Sequence, residues 1–82
     1  MQEEIEYVKK SQYRTRVMKF LAGGPNRPSV IARNTDIYTN HISKVLNQLK
    51  EHGLVVCINP EAKRGRFYRL TEKGEEIVKY FN

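Results

Sequence analysis

The 82-residue chain is predicted to form one mainly α domain, a three-helix bundle with a small β-hairpin and a C-terminal helix. Three observations predict this fold. Apolar residues recur at i, i+3, i+4 and i+7 through residues 42–49, which is helical spacing. Two short apolar runs, 54–59 and 67–70, flank a polar loop that contains a glycine, as in a β-hairpin. Breaks that contain Gly or Pro mark the ends of the helical segments.

The first two helices are predicted from their boundaries and their apolar faces. A first helix is expected over residues 1–22, because apolar residues line one face as far as the Gly-Gly-Pro break at 23–25. A second helix is expected over residues 29–35, entered through Pro28. Asp36 then marks a tight turn, since Asp tolerates the left-handed backbone conformation better than most residues.

The remaining elements follow from caps and turns. A third helix is predicted over residues 39–52, with Thr39 as its N-cap and Gly53 just past its end. The hairpin is predicted over 54–70. A threonine then caps a C-terminal helix over 72–81, whose apolar residues fall on one side.

The composition limits the classes of protein and partner. The formal charge is +6 and the sequence pI is about 9.7, which favours polyanionic partners such as nucleic acid. No apolar run reaches the roughly 18 residues that a membrane span needs, and no signal-peptide pattern is present. Cys57 is the single cysteine, so a disulfide within the chain is excluded. We therefore expect a soluble cytoplasmic protein with no membrane partner.

The second and third helices have the pattern of a helix-turn-helix, in which two helices are joined by a short turn and the second is polar on its outer face. That face carries neutral hydrogen-bonding groups and a cation, with no acid before the last turn. Such groups suit the base edges and phosphates of a DNA major groove. An ordinary solvated helix face is the alternative reading. The residues concerned are Asn40, Ser43, Lys44 and Asn47.

The loop of the hairpin is strongly cationic. Lys63, Arg64 and Arg66 surround Gly65, which permits a tight or left-handed turn. A cationic hairpin tip beside a helix that reads a groove can contact phosphates or enter the minor groove. A hairpin edge that charge merely keeps soluble is the alternative. The helix face and the loop together favour DNA binding.

These segments carry a family resemblance. LKEHGLV at 49–55 is similar to the exit from the recognition helix of the winged helix-turn-helix transcriptional regulators of prokaryotes, and YRLTEKG at 68–74 is similar to the entry into their helix after the wing. In this order the motifs resemble the MarR-like and ArsR-like branches over roughly residues 11–80. Two departures stand out. Asp36 occupies a turn position that is often Gly, and MarR-like proteins usually have longer dimerisation helices.

The resemblance implies a DNA interface made of three segments. The second helix would lie near the DNA backbone, the third would be the recognition helix and the cationic loop would be the wing. The DNA-binding residues expected on this basis are Ser29, Arg33, Thr39, Asn40, His41, Ser43, Lys44, Asn47, Lys63, Arg64 and Arg66.

The expected function is that of a sequence-specific transcriptional regulator that binds double-stranded DNA. A homodimeric repressor that occludes a pseudo-palindromic site is its simplest form. Dimerisation is predicted from apolar residues that exceed the needs of a small core, and burial of these residues within one chain is the alternative. They are Ile5, Val8, Met18, Tyr80 and Phe81.

Other functions have weaker support. A winged helix that serves as a protein–protein adaptor is the alternative function, because a fold does not determine its function. RNA binding would call for exposed aromatic rings, for which Tyr38 and Phe67 are the candidates. Neither catalysis nor a metal or other cofactor is expected. His41 and His52 are about 16 Å apart along one helix, Cys57 has no histidine near it in sequence, and no phosphate-binding loop motif is present.

Overall fold

The computed structural model describes residues 2–81, which contain five helices and one two-stranded antiparallel hairpin. The mainly α fold with a small hairpin is confirmed. The elements are α1 (Gln2–Lys9), α2 (Gln12–Leu21), α3 (Pro28–Thr35), α4 (Thr39–Glu51), β1 (Val55–Cys57), β2 (Tyr68–Leu70) and α5 (Glu72–Val78).

The single helix predicted over residues 1–22 is two helices, so this expectation is wrong. The chain is extended at Ser11, whose hydroxyl accepts a hydrogen bond from the Arg14 backbone N–H and caps α2. The Thr15 hydroxyl donates to the Val8 carbonyl at the end of α1, 3.1 Å away. The apolar pattern runs on across this break, and the continuous pattern therefore concealed it.

The break at Ser11 places the N-terminal apolar residues in the core of the chain. Four of the five residues predicted to form a dimer surface are buried in the core of the same chain: Ile5, Val8, Met18 and Phe81. Because the chain turns at Ser11, α1 packs back against α2 and covers its own apolar face. Tyr80 alone of the five is exposed, by 55%. The other four residues therefore cannot form the exposed apolar surface that was predicted for dimerisation.

Helices α2, α3 and α4 form the bundle, and α4 packs as its sequence pattern indicates. Its buried residues are the predicted stripe, Ile42, Val45, Leu46 and Leu49. Residues 36–38 join α3 to α4, and Asp36 adopts the left-handed conformation with φ 60°. Tyr38, not Thr39, is the N-cap of α4, and Gly53 follows its end with φ 72°.

The hairpin is extended by a third segment that the sequence analysis did not predict. β1 and β2 pair in the register Val55↔Leu70 and Cys57↔Tyr68, and Cys57 is buried. On the other edge of β2, the Tyr68 N–H donates to the Asn26 carbonyl at 2.9 Å, and the Tyr68 carbonyl accepts from the Asn26 N–H at 3.0 Å. The chain just before α3 is thereby attached to the hairpin.

α5 packs closely on the exit of α4. The Thr71 hydroxyl donates to the Gly53 carbonyl, 2.6 Å away, and accepts from the Gly74 N–H, which caps α5. Gly74 is buried, and a Cβ at this position would overlap the Leu54 carbonyl oxygen. The glycine of the YRLTEKG motif is therefore required for this packing. Regular helix ends at Val78, earlier than the predicted 81.

α1 is stacked against the C-terminal end of α4. The rings of Tyr7 and His52 lie 3.9 Å apart between centres and nearly parallel, and the Arg14 guanidinium lies 3.7 Å from the Tyr7 ring centre. Arg14 also donates to the Tyr7 carbonyl and to the Gln48 side chain. Cation–π and stacking contacts therefore connect α1, α2 and α4.

Candidate nucleic-acid interface

The outer face of α4 is exposed and carries polar side chains. Asn40, Ser43, Lys44 and Asn47 are all exposed, and none of their side chains bonds to a residue between Gln2 and Phe81. By contrast, the exposed Asn34 amide on α3 donates to the Val30 carbonyl at 2.8 Å. Free amide, hydroxyl and ammonium groups along one helix face can be donors and acceptors for base edges.

His41 on the same face has aromatic neighbours. Its ring centre is 5.9 Å from that of Tyr13 on α2 and 6.4 Å from that of Tyr38. Tyr38 is 79% exposed at the start of α4. Tyr13 is 37% exposed. The aromatic setting of His41 was missed in the sequence because Tyr13 lies far from His41 along the chain.

The supporting helix α3 contributes a smaller surface. Ser29 in its first turn and Arg33 near its end are both exposed. Pro28 occupies the first helical position, where its missing N–H costs nothing, and the backbone of Arg27 caps the helix without a side-chain hydrogen bond. Arg16 of α2 donates to the Thr35 carbonyl, which connects α2 to the end of α3.

Residues 58–67, between β1 and β2, form the wing loop. An asparagine that was not among the predicted site residues closes this loop. The Asn59 side chain accepts from the Phe67 N–H at 2.8 Å and donates to the Gly65 carbonyl at 3.1 Å. Gly65 has φ 68°, as the turn requires. Asn59 therefore ties the two sides of the loop together. A local signal existed, since Asn is frequent in such turns.

The three cationic side chains of the wing loop differ in whether they bond to the protein itself. The Arg66 Nε donates to the Ala62 carbonyl at 2.7 Å, so this side chain helps to hold the loop. Lys63 and Arg64 are exposed and form no hydrogen bond or ion pair with any residue in the described range 2–81. These two cations are therefore free to meet an anion.

Acidic residues gather at the end of the domain where α1, α5 and the C-terminal end of α4 meet. Lys73 of α5 forms an ion pair with Glu4 of α1 at 3.3 Å and donates to the His52 carbonyl. The hydrogen bond from Lys73 lowers the pKa of the Glu4 carboxyl. Three acids lie in or between the candidate DNA-facing segments, and all are exposed: Asp36 in the turn, Glu51 at the end of α4 and Glu61 in the wing loop.

All eleven residues predicted to bind DNA are exposed, in three segments of the fold. No cluster of three or more potential metal ligands occurs among the residues that the structure describes. None of the described helices is long and apolar enough to cross a membrane.

Comparison with protein families and curated proteins gave one match. The sequence model described as winged helix-turn-helix matches residues 9–82, nearly the whole chain. No curated protein sequence matches the chain.

Several solved structures have the same fold. NadR in complex with 4-hydroxyphenylacetate has a TM-score of 0.79 at 23% identity, and the match covers 94% of this chain and 59% of NadR. A MarR-family transcriptional regulator from Silicibacter pomeroyi has a TM-score of 0.76 at 16% identity, covering 94% and 57%. The transcriptional repressor CouR, bound to a 23-mer DNA duplex, has a TM-score of 0.71 at 26% identity, covering 80% and 48%. The chain spans about half to three-fifths of the length of these proteins.

Proposed function

Because the chain belongs to the winged helix-turn-helix family, we propose that it is a sequence-specific, duplex-DNA-binding transcriptional regulator. The observation that carries the proposal is the set of free polar groups on the outer face of α4. α4 enters the major groove, where Asn40 and Asn47 bond to adenine edges and Lys44 to guanine or phosphate. The wing cations contact phosphates beside the groove. CouR, with the same fold, is bound to a DNA duplex in its structure.

Selection of bound fragments from random duplex DNA tests this function directly. Recovery of a recurring motif, together with amide chemical-shift changes in α4 and the wing loop on titration with that duplex, is the expected result. If no duplex is enriched and neither segment responds at moderate ionic strength, the regulator proposal fails. A protein–protein adaptor then becomes the better explanation.

Loss of a wing cation is expected to weaken binding without changing sequence preference. Arg64→Ala removes a phosphate contact, so affinity should fall about three- to tenfold near 100 mM salt on every duplex. If about six cations contact phosphates, the wild-type slope of log K against log salt is about −5, and the variant slope is less negative by about 0.9. Fluorescence anisotropy over a salt series measures both quantities.

The matched control for this charge loss is Lys79→Ala at the end of α5, where the lysine is exposed and paired with Glu76. This variant is expected to bind DNA like the wild type. Equal effects of the two variants would show that only net charge matters and would contradict the wing assignment.

The proposed regulator acts as a homodimeric repressor. α4 has 13 residues and is about 20 Å long, so one copy reads only a few base pairs. Such a short site recurs too often to specify one locus, whereas two copies related by a two-fold axis read an inverted repeat with half-sites about 34 Å apart. A dimer bound across a promoter excludes the transcription machinery.

A groove beside Tyr80 is the surface proposed for the second copy. It has a volume of about 440 Å³ and is lined by Lys9, Gln12, Thr15, Arg16, Lys19, Tyr80 and Phe81. The groove is cationic, and the exposed acids of α1 in a second copy provide the complementary charge.

Tyr80→Ser is therefore expected to raise the dimer dissociation constant about tenfold or more, because an interface aromatic is lost. Sedimentation velocity at tens of micromolar measures it. Ile58→Ser, which removes an exposed apolar side chain from the hairpin, is the control and is expected to leave dimerisation unchanged. A wild-type protein that stays monomeric both free and on an inverted repeat contradicts the dimer.

A further inference from the structure

Arg27 lies between the helix-turn-helix and the wing, and its place is determined by backbone hydrogen bonds. Asn26 and Tyr68 exchange two of these bonds in an antiparallel bridge. In an antiparallel pair, the residue after Asn26 lies beside the residue before Tyr68. Arg27 therefore lies next to Phe67, on the side of β2 that leads into the wing loop.

The Phe67 ring supports the Arg27 side chain. The guanidinium carbon of Arg27 is 5.9 Å from the Phe67 ring centre, and both residues are exposed. A guanidinium at this distance from an aromatic ring gains cation–π attraction and loses some of its conformational freedom. This contact gives the exposed Phe67 ring a role in holding the arginine.

The Arg27 side chain carries an exposed positive charge. Among residues 2–81, no carboxylate lies within ion-pair distance of its guanidinium. Arg27 is also the N-cap residue of α3, beside the exposed Ser29, and α3 has no acid in its first turn. The exposed guanidinium can therefore pair with an external anion.

We infer that Arg27 binds a DNA phosphate, and that Phe67 is a positioning residue for it. This inference rests on the proposed function. It adds a DNA contact between the helix-turn-helix and the wing loop. The duplex backbone then meets the protein at α4, at the start of α3 and at the wing. Because the bridge at Asn26 ties α3 to β2, the contact has a constant position relative to the wing.

The test measures DNA affinity over a salt series by fluorescence anisotropy, with the duplex recovered by selection. Arg27→Ala is expected to weaken binding about three- to tenfold on all sequences and to make the salt slope less negative by about 0.9. Arg27→Lys keeps the charge and is expected to retain the wild-type slope with a smaller loss of affinity. Lys79→Ala is the control for charge loss and is expected to bind like the wild type.

The role of the ring is tested separately. Phe67→Leu keeps an apolar side chain and is expected to weaken binding about two- to threefold in the wild-type background, and to have no further effect in the Arg27→Ala background. Thermal unfolding of each variant shows whether the fold is retained, and the slope change distinguishes a lost phosphate contact from a loss of stability.

The outcomes separate this inference from the proposed function. If the wild type binds its selected duplex and Arg27→Ala matches Lys79→Ala in affinity and slope, the inference is overturned while the function stands. If the wild type binds no duplex, both are overturned.

Discussion

Gly74→Ala is expected to lower the free energy of unfolding by about 2–3 kcal/mol. The added Cβ would overlap the Leu54 carbonyl oxygen, and this oxygen also accepts the Thr71 N–H, so it cannot move without breaking that bond. α5 would have to shift away from the exit of α4. For a domain of this size the melting temperature should fall on the order of 10 °C, as measured by circular dichroism.

Gly23→Ala is the matched control. At that position a Cβ would make ordinary contact with the Phe20 carbonyl oxygen, 3.5 Å away, and φ is not positive. The melting temperature is expected to change little. A Gly74→Ala protein as stable as Gly23→Ala would contradict the close packing of α5 on Leu54.

Lys44→Ala and Asn47→Ala are each expected to reduce the preference of the protein for its selected site over a single-base variant. Each side chain is exposed on α4 and unbonded within residues 2–81, so each can face a base edge. Loss of such a contact reduces discrimination between the selected site and a single-base variant by roughly 1–3 kcal/mol, which is about five- to 150-fold. The ratio of the two dissociation constants, measured by competition, reports it.

Lys50→Ala is the control, because it removes a cation from the last turn of the same helix. It is expected to leave the ratio of dissociation constants unchanged, even where it weakens binding to both duplexes. If Lys44→Ala and Asn47→Ala also keep the wild-type ratio, α4 does not read bases through these two residues.

The features that were predictable from the sequence depend on residues close together in the chain. The buried stripe of α4 follows from its spacing. The left-handed backbone at Asp36, Gly53 and Gly65 follows from residue types that tolerate it. The exposure of the candidate DNA-binding residues on α4 follows from the same spacing, since they lie on the side of the helix away from the buried stripe.

The features that were missed depend on contacts between distant segments. The bridge between Asn26 and Tyr68 joins residues that neither periodicity nor turn chemistry connects. The break at Ser11 carries a local capping signal, but apolar residues on both sides continue a helical pattern across it. Because of this break α1 folds back on α2, and Ile5 and Val8 therefore lie in the core and not on the surface. Local pattern therefore identified most of the elements and the buried face of α4, but not the break in the first helix or the contacts between distant segments.

The stack of Arg14, Tyr7 and His52 has a consequence for how the domain is delimited. The family match begins at residue 9, yet α1 places Tyr7 on the far end of α4 and inserts Ile5 and Val8 into the interior. A fragment that began at residue 9 would lack α1, and the apolar core residues that α1 covers would be exposed to solvent. The start of the sequence match therefore lies within the packed domain and does not mark its boundary.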